Sequence, residues 1–308
     1  MIISKKNEVY LQVETEPNYA RELSDFFTFE VPGARFMPTY RNRIWDGKIR
    51  LYSVASNEVY VGLLPYIEEF AKRNEIDIEY KKGVLNERKY GTSELDKFVR
   101  GVSPKSKGTI LQIRDYQMAA FVHAVRNDRS LLLSPTASGK SLIIYLLTRW
   151  YESDRVLILV PTTSLVEQMY SDFVDYGYNE KMMQRIYQGH SKEITNQVII
   201  STWQSLYKMP KKFFDNFGCI LGDEVHLFKA KSLTSIMNKL QQCVHRHGFT
   251  GTLDGTQTHR LILEGLFGAV NKVTTTKKLM EDNTLAKLNI KCIVSVSYTH
   301  LTLPTKWI

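Results

Sequence analysis

The sequence predicts an α/β protein in which a parallel, doubly wound sheet follows a small α+β domain. Short apolar strands alternate with helical stretches from residue 109 onward, which is typical of parallel sheets. An apolar run at 131–133 leads into Ser-Pro-Thr-Ala-Ser-Gly-Lys-Ser, and a second apolar run at 219–221 leads to Asp223 and Glu224. Open parallel sheets hold ligands beyond the carboxyl ends of their strands. We therefore expect the chemistry of this chain at that edge of the sheet.

The first 90 residues predict a separate small α+β domain, because strand-like runs alternate there with two helix-like stretches. The helix-like stretches are 18–27, with Asn18 as the predicted cap, and 63–74. Residues 91–108 are rich in charged residues and contain three glycines and one proline, which predicts a linker. The strand-like runs are 9–13, 49–52, 59–61 and 76–80.

The loop after residue 133 has most of the pattern Gly-x-x-x-x-Gly-Lys-Ser/Thr that binds the phosphates of nucleotides. Ser134 occupies the place of the first glycine, and Gly139, Lys140 and Ser141 fit the pattern. Gly139 allows backbone N–H groups to face the phosphates, and the following helix adds its dipole. We expect Lys140 to reach the terminal phosphates of ATP and Ser141 to bind Mg²⁺. The rest of the predicted cradle is Pro135, Thr136, Ala137 and Ser138. The alternative is a plain strand-to-helix turn with a capping serine.

The segment Asp-Glu-Val-His at 223–226 supplies the other groups that ATP hydrolysis needs. We expect Asp223 to hold Mg²⁺ through water, and Glu224 to orient and deprotonate the attacking water. His226 is expected near the γ-phosphate. Without the upstream phosphate loop, a solvated acidic turn would be the better interpretation.

These segments resemble the DExH-box helicases and translocases of superfamily 2. Arg114-Asp115-Tyr116-Gln117 resembles the family's adenine-reading segment, and residues 161–168 and 201–206 resemble its motifs Ia and Ib. Thr250-Gly251-Thr252 resembles motif III. The resemblance covers residues 110 to about 280 and implies a RecA-like ATP-binding domain at 109–282.

The resemblance also implies roles for individual residues. Arg114 and Gln117 would contact adenine. Thr250, Gly251 and Thr252 would couple nucleotide state to nucleic-acid grip through His226. Motifs Ia and Ib would hold the sugar–phosphate backbone of DNA or RNA through Thr162, Thr163, Ser201 and Thr202. The alternative for the last four is that they only cap helices.

A basic and aromatic segment at 35–50 is the candidate nucleic-acid contact of the N-terminal domain. It carries five basic residues and one acid, with aromatic residues interleaved. The expected contacts are Arg41, Arg43, Trp45 and Lys48. The alternative is a solvated hairpin whose aromatic residues pack on the domain core. Residues 35–38, 42–50 and 274–282 resemble the branch-remodelling helicases of T-even-like phages. That resemblance implies ATP-driven action on R-loops, stalled forks and Holliday junctions, in the cytosol of an infected bacterium.

Composition agrees with a polyanionic partner, because the formal charge is +9 and the pI is about 9.2. No apolar run is long enough to span a membrane. The three cysteines have neither paired nor metal-like spacing, as expected in a reducing compartment.

The end of the sequence departs from the resemblance. Residues 283–308 are too few for the second RecA-like domain that such motors need, and residues 295–306 resemble translated adapter sequence. We therefore expect a fragment with an aberrant tail and little activity alone. Two alternatives stay open: a double-strand DNA translocase of restriction or repair type, and a non-enzymatic nucleic-acid-binding module with a relic nucleotide site.

Overall fold

The structure, a computed structural model, describes residues 1–85, 90–228, 230–253 and 257–282. The predicted tail at 283–308 lies outside the described residues. Within them, one five-stranded sheet and one seven-stranded sheet form the framework. No helix of the described ranges is both long and apolar enough to cross a lipid bilayer.

The N-terminal part of the chain forms the five-stranded sheet with helices beside it. The strand order is β5-β6-β2-β1-β7, with β1 and β7 parallel and the other neighbours antiparallel. Strands β3 and β4 form a separate antiparallel pair. The elements are β1 (Ile2–Lys5), β2 (Tyr10–Glu14), α1 (Pro17–Phe26), β3 (Thr28–Glu30), α2 (Pro38–Arg41), β4 (Lys48–Arg50), β5 (Tyr52–Ser53), β6 (Glu58–Tyr60), α3 (Leu64–Arg73) and β7 (Glu79–Tyr80).

The two predicted helices of this region are present, but the predicted cap is wrong. Helix α1 has Glu16 at the N-cap and Pro17 in its first turn, so Asn18 already lies inside the helix. Proline suits the first turn because its missing N–H would have no partner there. Strands β1 and β3 were not predicted.

Residues 91–108, predicted as a linker, contain a helix. Its Leu95 and Val99 are buried in the same apolar cluster as residues of the larger sheet. The amphipathic spacing of these two side chains explains why the segment folds onto the ATP-binding region. The elements here are α4 (Thr92–Val102), β8 (Lys105–Ser106) and β9 (Thr109–Ile110).

The seven-stranded sheet is entirely parallel and confirms the predicted fold class. Its order is β12-β13-β11-β14-β15-β10-β16. The elements are α5 (Asp115–Asn127), β10 (Arg129–Leu133), α6 (Lys140–Trp150), β11 (Val156–Val160), α7 (Thr163–Asp175), β12 (Met183–Ile186), β13 (Val198–Thr202), α8 (Trp203–Leu206), α9 (Lys211–Phe214), β14 (Cys219–Gly222), α10 (Ala230–Lys239), β15 (His245–Thr250), α11 (Gln257–Phe267), β16 (Val270–Lys272) and α12 (Thr276–Glu281).

Apolar side chains pack on both faces of this sheet. In β11, Leu157 and Leu159 belong to one buried cluster, while Val156, Ile158 and Val160 belong to the other. This alternation is the period of two that a doubly covered strand must have. The first cluster also contains the core of the N-terminal domain, so that domain covers part of one face.

Polar contacts reinforce this packing between the N-terminal and ATP-binding parts. Arg129 Nη2 lies 2.8 Å from Glu8 Oε2, with both side chains mostly buried. Tyr66 donates a hydrogen bond to Glu264 of α11. The backbone is also close, because a Cβ added at Gly62 would lie 2.0 Å from Glu264 O. The two parts are therefore in direct backbone contact.

Candidate nucleotide site and nucleic-acid contacts

The phosphate loop joins β10 to α6 and contains two left-handed residues. Ala137 and Gly139 have φ values of 62° and 81°. A Cβ at Gly139 would lie 2.3 Å from Gln117 Nε2. Position 139 therefore requires glycine for its backbone conformation and for the close approach of Gln117.

Ser134, which replaces the first glycine of the pattern, stabilises the loop through a hydrogen bond of its side chain. Its hydroxyl oxygen is 2.6 Å from Ser138 Oγ, and Ser138 Oγ in turn donates to Pro135 O at 2.6 Å. Ser134 and Ser138 are buried, whereas Thr136 and Ala137 are exposed. The serine is thus accommodated by a hydrogen bond within the loop, and the exposed residues are left to face a ligand.

The predicted adenine-reading segment lies against the same loop. Gln117 is buried; its Nε2 donates to Ser138 O at 3.0 Å and its Oε1 accepts from Arg114 N at 3.0 Å. Tyr116 OH also donates to Ser138 O, and Arg114 Nη1 donates to Tyr116 OH. In this structure Gln117 therefore holds the phosphate loop, and its second N–H group and second oxygen lone pair are the groups left for contact with adenine.

Lys140 and Glu224 form an ion pair at the centre of the site. Lys140 Nζ is 2.5 Å from Glu224 Oε1, with the two side chains 11 % and 20 % exposed. Glu224 has a left-handed φ of 48°, an unfavourable conformation for a side chain of this kind. Its other oxygen, Oε2, accepts from Gly251 N at 3.3 Å. Glu224 thus connects the phosphate loop to the segment after β15.

His226 is bonded to the predicted coupling segment. Thr250 Oγ1 is 2.7 Å from His226 Nδ1 and donates its own proton to Thr252 O at 2.7 Å. A hydroxyl has one proton, so the bond between these side chains uses a hydrogen on His226 Nδ1. The same nitrogen is 3.4 Å from Glu224 Oε2. The strand order explains the arrangement, because β15 lies between β10 and β14.

Asp223 and Ser141 are the residues that would hold Mg²⁺. Burial raises the pKa of Asp223 to about 6, a shift that Lys140 opposes and Glu224 reinforces. Ser141 Oγ lies 3.0 Å from Tyr176 OH, a contact that the sequence did not predict. No cluster of three or more His, Cys, Asp or Glu among the described residues could hold a metal. One carboxylate and one hydroxyl fit Mg²⁺, which prefers hard oxygen ligands and keeps several waters.

The loops that resemble motifs Ia and Ib differ in exposure. Thr162 and Thr163 are exposed at the start of α7, where Thr162 Oγ1 accepts from Leu165 N at 3.3 Å. Ser201 is fully buried and donates to Ile186 O at 2.5 Å. In this structure the Ser201 hydroxyl is used inside the sheet, so its contact with nucleic acid stays a prediction that this burial does not favour.

Thr202 is almost as buried as Ser201. Its Oγ1 is 2.9 Å from Ser205 Oγ in α8, and the residue is 3 % exposed. A nearby bond joins the two loops, since Gln204 Nε2 donates to Pro161 O at 3.1 Å. The Thr202 side chain is thus also bonded within the protein, and its contact with nucleic acid stays a prediction.

The basic segment of the N-terminal domain lies between β3 and β4. Arg41, Arg43 and Lys48 are exposed. Trp45 is only partly exposed, and its Nε1 donates to Lys48 O at 2.8 Å. The contacts of Arg41 and Arg43 with nucleic acid stay a prediction, which their exposure permits, whereas the hydrogen-bonded edge of Trp45 makes that residue a poorer stacking surface than expected.

Strand β15 contains buried polar residues, among them His245, Arg246 and His247. Arg246 is fully buried and donates to Cys243 O at 3.1 Å; burial lowers its pKa to about 9. His247 Nδ1 is 2.8 Å from Ser130 Oγ, and burial lowers the pKa of His247. His245 lies 2.8 Å from Asp128. The sequence did not reveal that β15 lies inside the sheet, between β14 and β10, and this position explains why these polar residues are buried.

Comparisons with known proteins agree with this geometry. Residues 110–255 match the family model of the type III restriction enzyme res subunit, and residues 3–81 match that of the N-terminal region of the DNA helicase UvsW. A translocase of Sulfurisphaera tokodaii, DNA 3'-5' translocase XPB2, is 24 % identical over 143 residues, which are 46 % of this chain and 31 % of that protein.

Relatives from bacteriophage T4 match almost the whole chain. The ATP-dependent DNA helicase uvsW is 34 % identical to this chain over 296 residues. The match covers 92 % of this chain, and this chain spans 58 % of the length of that helicase. One crystal structure of T4 UvsW has a TM-score of 0.81 and 32 % identity, covering 88 % of this chain and 99 % of that chain. A second has a TM-score of 0.82 and 32 % identity, covering 89 % and 57 %. The chain therefore belongs to the superfamily 2 helicases and, within them, to the UvsW family.

Proposed function

We propose that this chain is the nucleotide-binding half of an ATP-driven helicase that remodels branched nucleic acid. The observation that carries the proposal is the linked set Lys140, Glu224, Gly251, His226 and Thr250. It joins the phosphate loop, the acidic motif and the coupling segment through contacts of 2.5 to 3.4 Å. A binding module without catalysis has no need for such a connection.

The ion pair suggests how nucleotide binding would prepare the site. Incoming phosphates compete with Glu224 for Lys140, because both are anionic. When Lys140 turns to the phosphates, Glu224 is released to orient and deprotonate water. The hydrogen bond from Gly251 N holds Glu224 in position. Loss of the ion pair with Lys140 therefore changes the electrostatic environment of Glu224 more than its position.

Mg²⁺ bound by Asp223 and Ser141 would supply charge neutralisation to the β- and γ-phosphates. Asp223 Oδ1 accepts from Glu224 N at 3.0 Å, which fixes the carboxylate relative to the candidate base. We further propose that a second RecA-like domain supplies arginines to the transition state. Thr162 and Thr163, which are exposed, would hold the backbone of the bound strand.

Branched substrates are proposed from the resemblance to phage helicases, with R-loops, stalled forks and Holliday junctions as examples. By the same resemblance the protein would act during phage replication, recombination and repair, in the host cytosol. A double-strand translocase is the second candidate, supported by the match of residues 110–255 to the restriction-enzyme family. Strand separation of forks, assayed on a protein that includes a second motor domain, distinguishes a helicase from a translocase that moves without unwinding.

The test on this chain is Mg·ATP binding by isothermal titration calorimetry, comparing Lys140→Ala with Glu224→Gln. We expect Lys140→Ala to lose binding, because the main counter-charge to the phosphates is gone. Glu224→Gln should keep or improve binding, because it removes the competitor for Lys140. Any hydrolysis stimulated by forked DNA should fall about 10²- to 10⁴-fold in Glu224→Gln.

Normal ATP binding by Lys140→Ala would contradict the proposed site. Tight DNA binding that responds neither to ATP nor to Glu224→Gln would instead favour the non-enzymatic module. Lys97→Ala serves as the control variant, because this lysine lies in α4 and belongs to none of the motifs.

A further inference from the structure

The segment between β3 and β4, residues 31–47, has a defined shape of its own, and we name it the tip loop. Its ends are joined by the hydrogen bond from Val31 N to Gly47 O at 2.9 Å. Inside it, Ile44 N and Trp45 N both donate to Thr39 O, at 2.9 and 3.2 Å. The loop is therefore organised by its own backbone rather than by contact with the domain core.

Gly47 shows how tightly the tip loop is closed. Its φ is +78°, and a Cβ there would lie 3.0 Å from both Ala34 Cβ and the Tyr40 ring. Ala34 is the buried apolar residue at the centre of this closure. A loop that is ordered in this way can bind without a large loss of conformational entropy.

Apolar side chains of the tip loop point into solvent. Ile44 is 76 % exposed and Phe36 is 63 % exposed, and Met37 and Tyr40 are also among the exposed large apolar residues. Four such residues lie within nine sequence positions, whereas exposed apolar residues of ordinary surfaces occur singly; we call these four residues the apolar patch. Trp45, by contrast, is partly covered and bonded through Nε1.

Positive charge surrounds this patch. Arg35 lies over the Phe36 ring at 5.0 Å, and Arg41 and Arg43 are exposed on the neighbouring turn. Asp46, the one acid of residues 35–50, is paired with Arg50 at 2.5 Å. In the described part of the chain, Arg41 and Arg43 form no ion pair. The charge is therefore available to an external anion.

Apolar side chains flanked by arginines match the chemistry of a nucleic-acid wedge. Such wedges insert Phe, Ile, Met or Pro between base steps, while basic residues hold the adjoining phosphates. A protein partner fits less well, because an apolar protein interface would have to bury Arg41 and Arg43 without ion-pair partners. A single strand that only stacks would use the aromatic rings of Phe36 and Tyr40, and it would leave Ile44, the most exposed apolar side chain of the loop, without a role.

We propose that the tip loop is a wedge that inserts Phe36 and Ile44 where a DNA duplex divides into two strands. Arg41 and Arg43 hold the phosphates on either side of that point. The proposal rests on the proposed function and names the structure within branched DNA that the N-terminal domain recognises. Unstacked bases at a branch point make insertion less costly there than within an intact duplex.

The test uses the whole 308-residue chain and two DNAs, a fork with 2-aminopurine at the branch point and the matching plain duplex. The unaltered chain should bind the fork more tightly and raise the fluorescence of 2-aminopurine as that base unstacks. Phe36→Ala with Ile44→Ala should lose the fluorescence change and weaken fork binding about tenfold. Its affinity for plain duplex should stay the same.

Two comparison variants sharpen the result. Val54→Ala removes an apolar side chain that is 47 % exposed outside the tip loop, and it should leave both affinities unchanged. Arg41→Ala with Arg43→Ala should weaken fork and duplex alike and reduce the salt dependence of binding. Circular dichroism checks that each variant is folded.

Unchanged fork binding and fluorescence in the Phe36 and Ile44 variant would overturn the wedge while leaving the proposed function intact. If that variant alters only self-association in sedimentation velocity, the patch is a protein-docking surface and the wedge is wrong. If the unaltered chain binds neither DNA, the wedge and the nucleic-acid part of the proposed function both fail. Mg·ATP titration of Lys140→Ala reports on the nucleotide part separately.

Discussion

Individual residues in the nucleotide site serve two purposes, one within the protein and one toward a ligand. Gln117 holds Ser138 O, and Lys140 pairs with Glu224. Both side chains are those expected to contact ATP. A buried charge or amide without a partner is costly, so these internal bonds keep the site intact before a ligand binds.

Gly139 and Gly101 provide a matched pair of glycine substitutions at this scale. Gly139→Ala should lower the free energy of unfolding by at least about 1–2 kcal/mol, because φ is +81° there. It should also weaken Mg·ATP binding, since the new Cβ displaces Gln117. Urea unfolding and calorimetric titration measure the two effects.

Gly101→Ala is the control, because its Cβ would meet nothing within 4 Å and the residue lies in helix α4. It should raise stability by about 0.5–1 kcal/mol through helix propensity. Equal effects of the two substitutions would mean that the phosphate loop does not depend on the left-handed conformation at Gly139.

At the scale of elements, the sheet was predictable and its accessory parts were less so. The alternation of apolar runs and the two motifs identified the strands that carry the site, and the structure brings Lys140, Glu224 and His226 together. Ser201 could not be placed by motif alone, because the strand pleat turns its hydroxyl to Ile186 O. Helix α4 was missed, since Leu95 and Val99 lie among charged residues, Gly and Pro.

Strand β15 should make stability depend on pH. His247 is buried and its pKa is lowered from the ordinary value of 6.5, so the folded state resists its protonation. Above about pH 6.5 the residue is neutral in both states and costs nothing. As the pH falls below that value, the unfolded chain takes up a proton first, and stability falls by up to about 1.4 kcal/mol per pH unit.

The variant His247→Asn tests this dependence, because its side chain can still bond Ser130 but does not titrate. Urea unfolding between pH 5 and 8 should show a smaller loss of stability on the acid side than in the unaltered chain. His190→Asn is a suitable control, since that histidine is exposed. The same acid slope in the His247 variant would mean that other groups cause it.

At the scale of the whole molecule, the two sheets of the described residues pack together around a shared apolar core. A single apolar cluster contains Ile3 and Leu11 of the first sheet together with Leu131 and Phe267 of the larger domain. The ion pair between Glu8 and Arg129 lies at the same boundary. The N-terminal part was predicted as a separate domain. Nothing in the sequence indicated that it packs tightly against the ATP-binding domain.

Gly62→Ala should loosen that attachment. The new Cβ would lie 2.0 Å from Glu264 O and 2.8 Å from Gly265 O, and backbone atoms cannot move aside as side chains can. We expect thermal unfolding to separate into two transitions, with the N-terminal domain cleaved first in limited proteolysis. Gly91→Ala, with nothing within 4 Å, should unfold as the unaltered chain does. A single unshifted transition in Gly62→Ala would contradict tight docking.

Helix α11 has a mechanical consequence that follows from its two ends. It begins five residues after Thr252, and near its other end Glu264 bonds Tyr66 while Gly265 packs on Tyr60. A helix of 11 residues is a stiff strut about 16 Å long, so a tilt of about 10° at one end displaces the other by about 3 Å. A displacement of the first turn of this helix would therefore reach the first sheet as the movement of a rigid rod, without any loop to absorb it at Gly62.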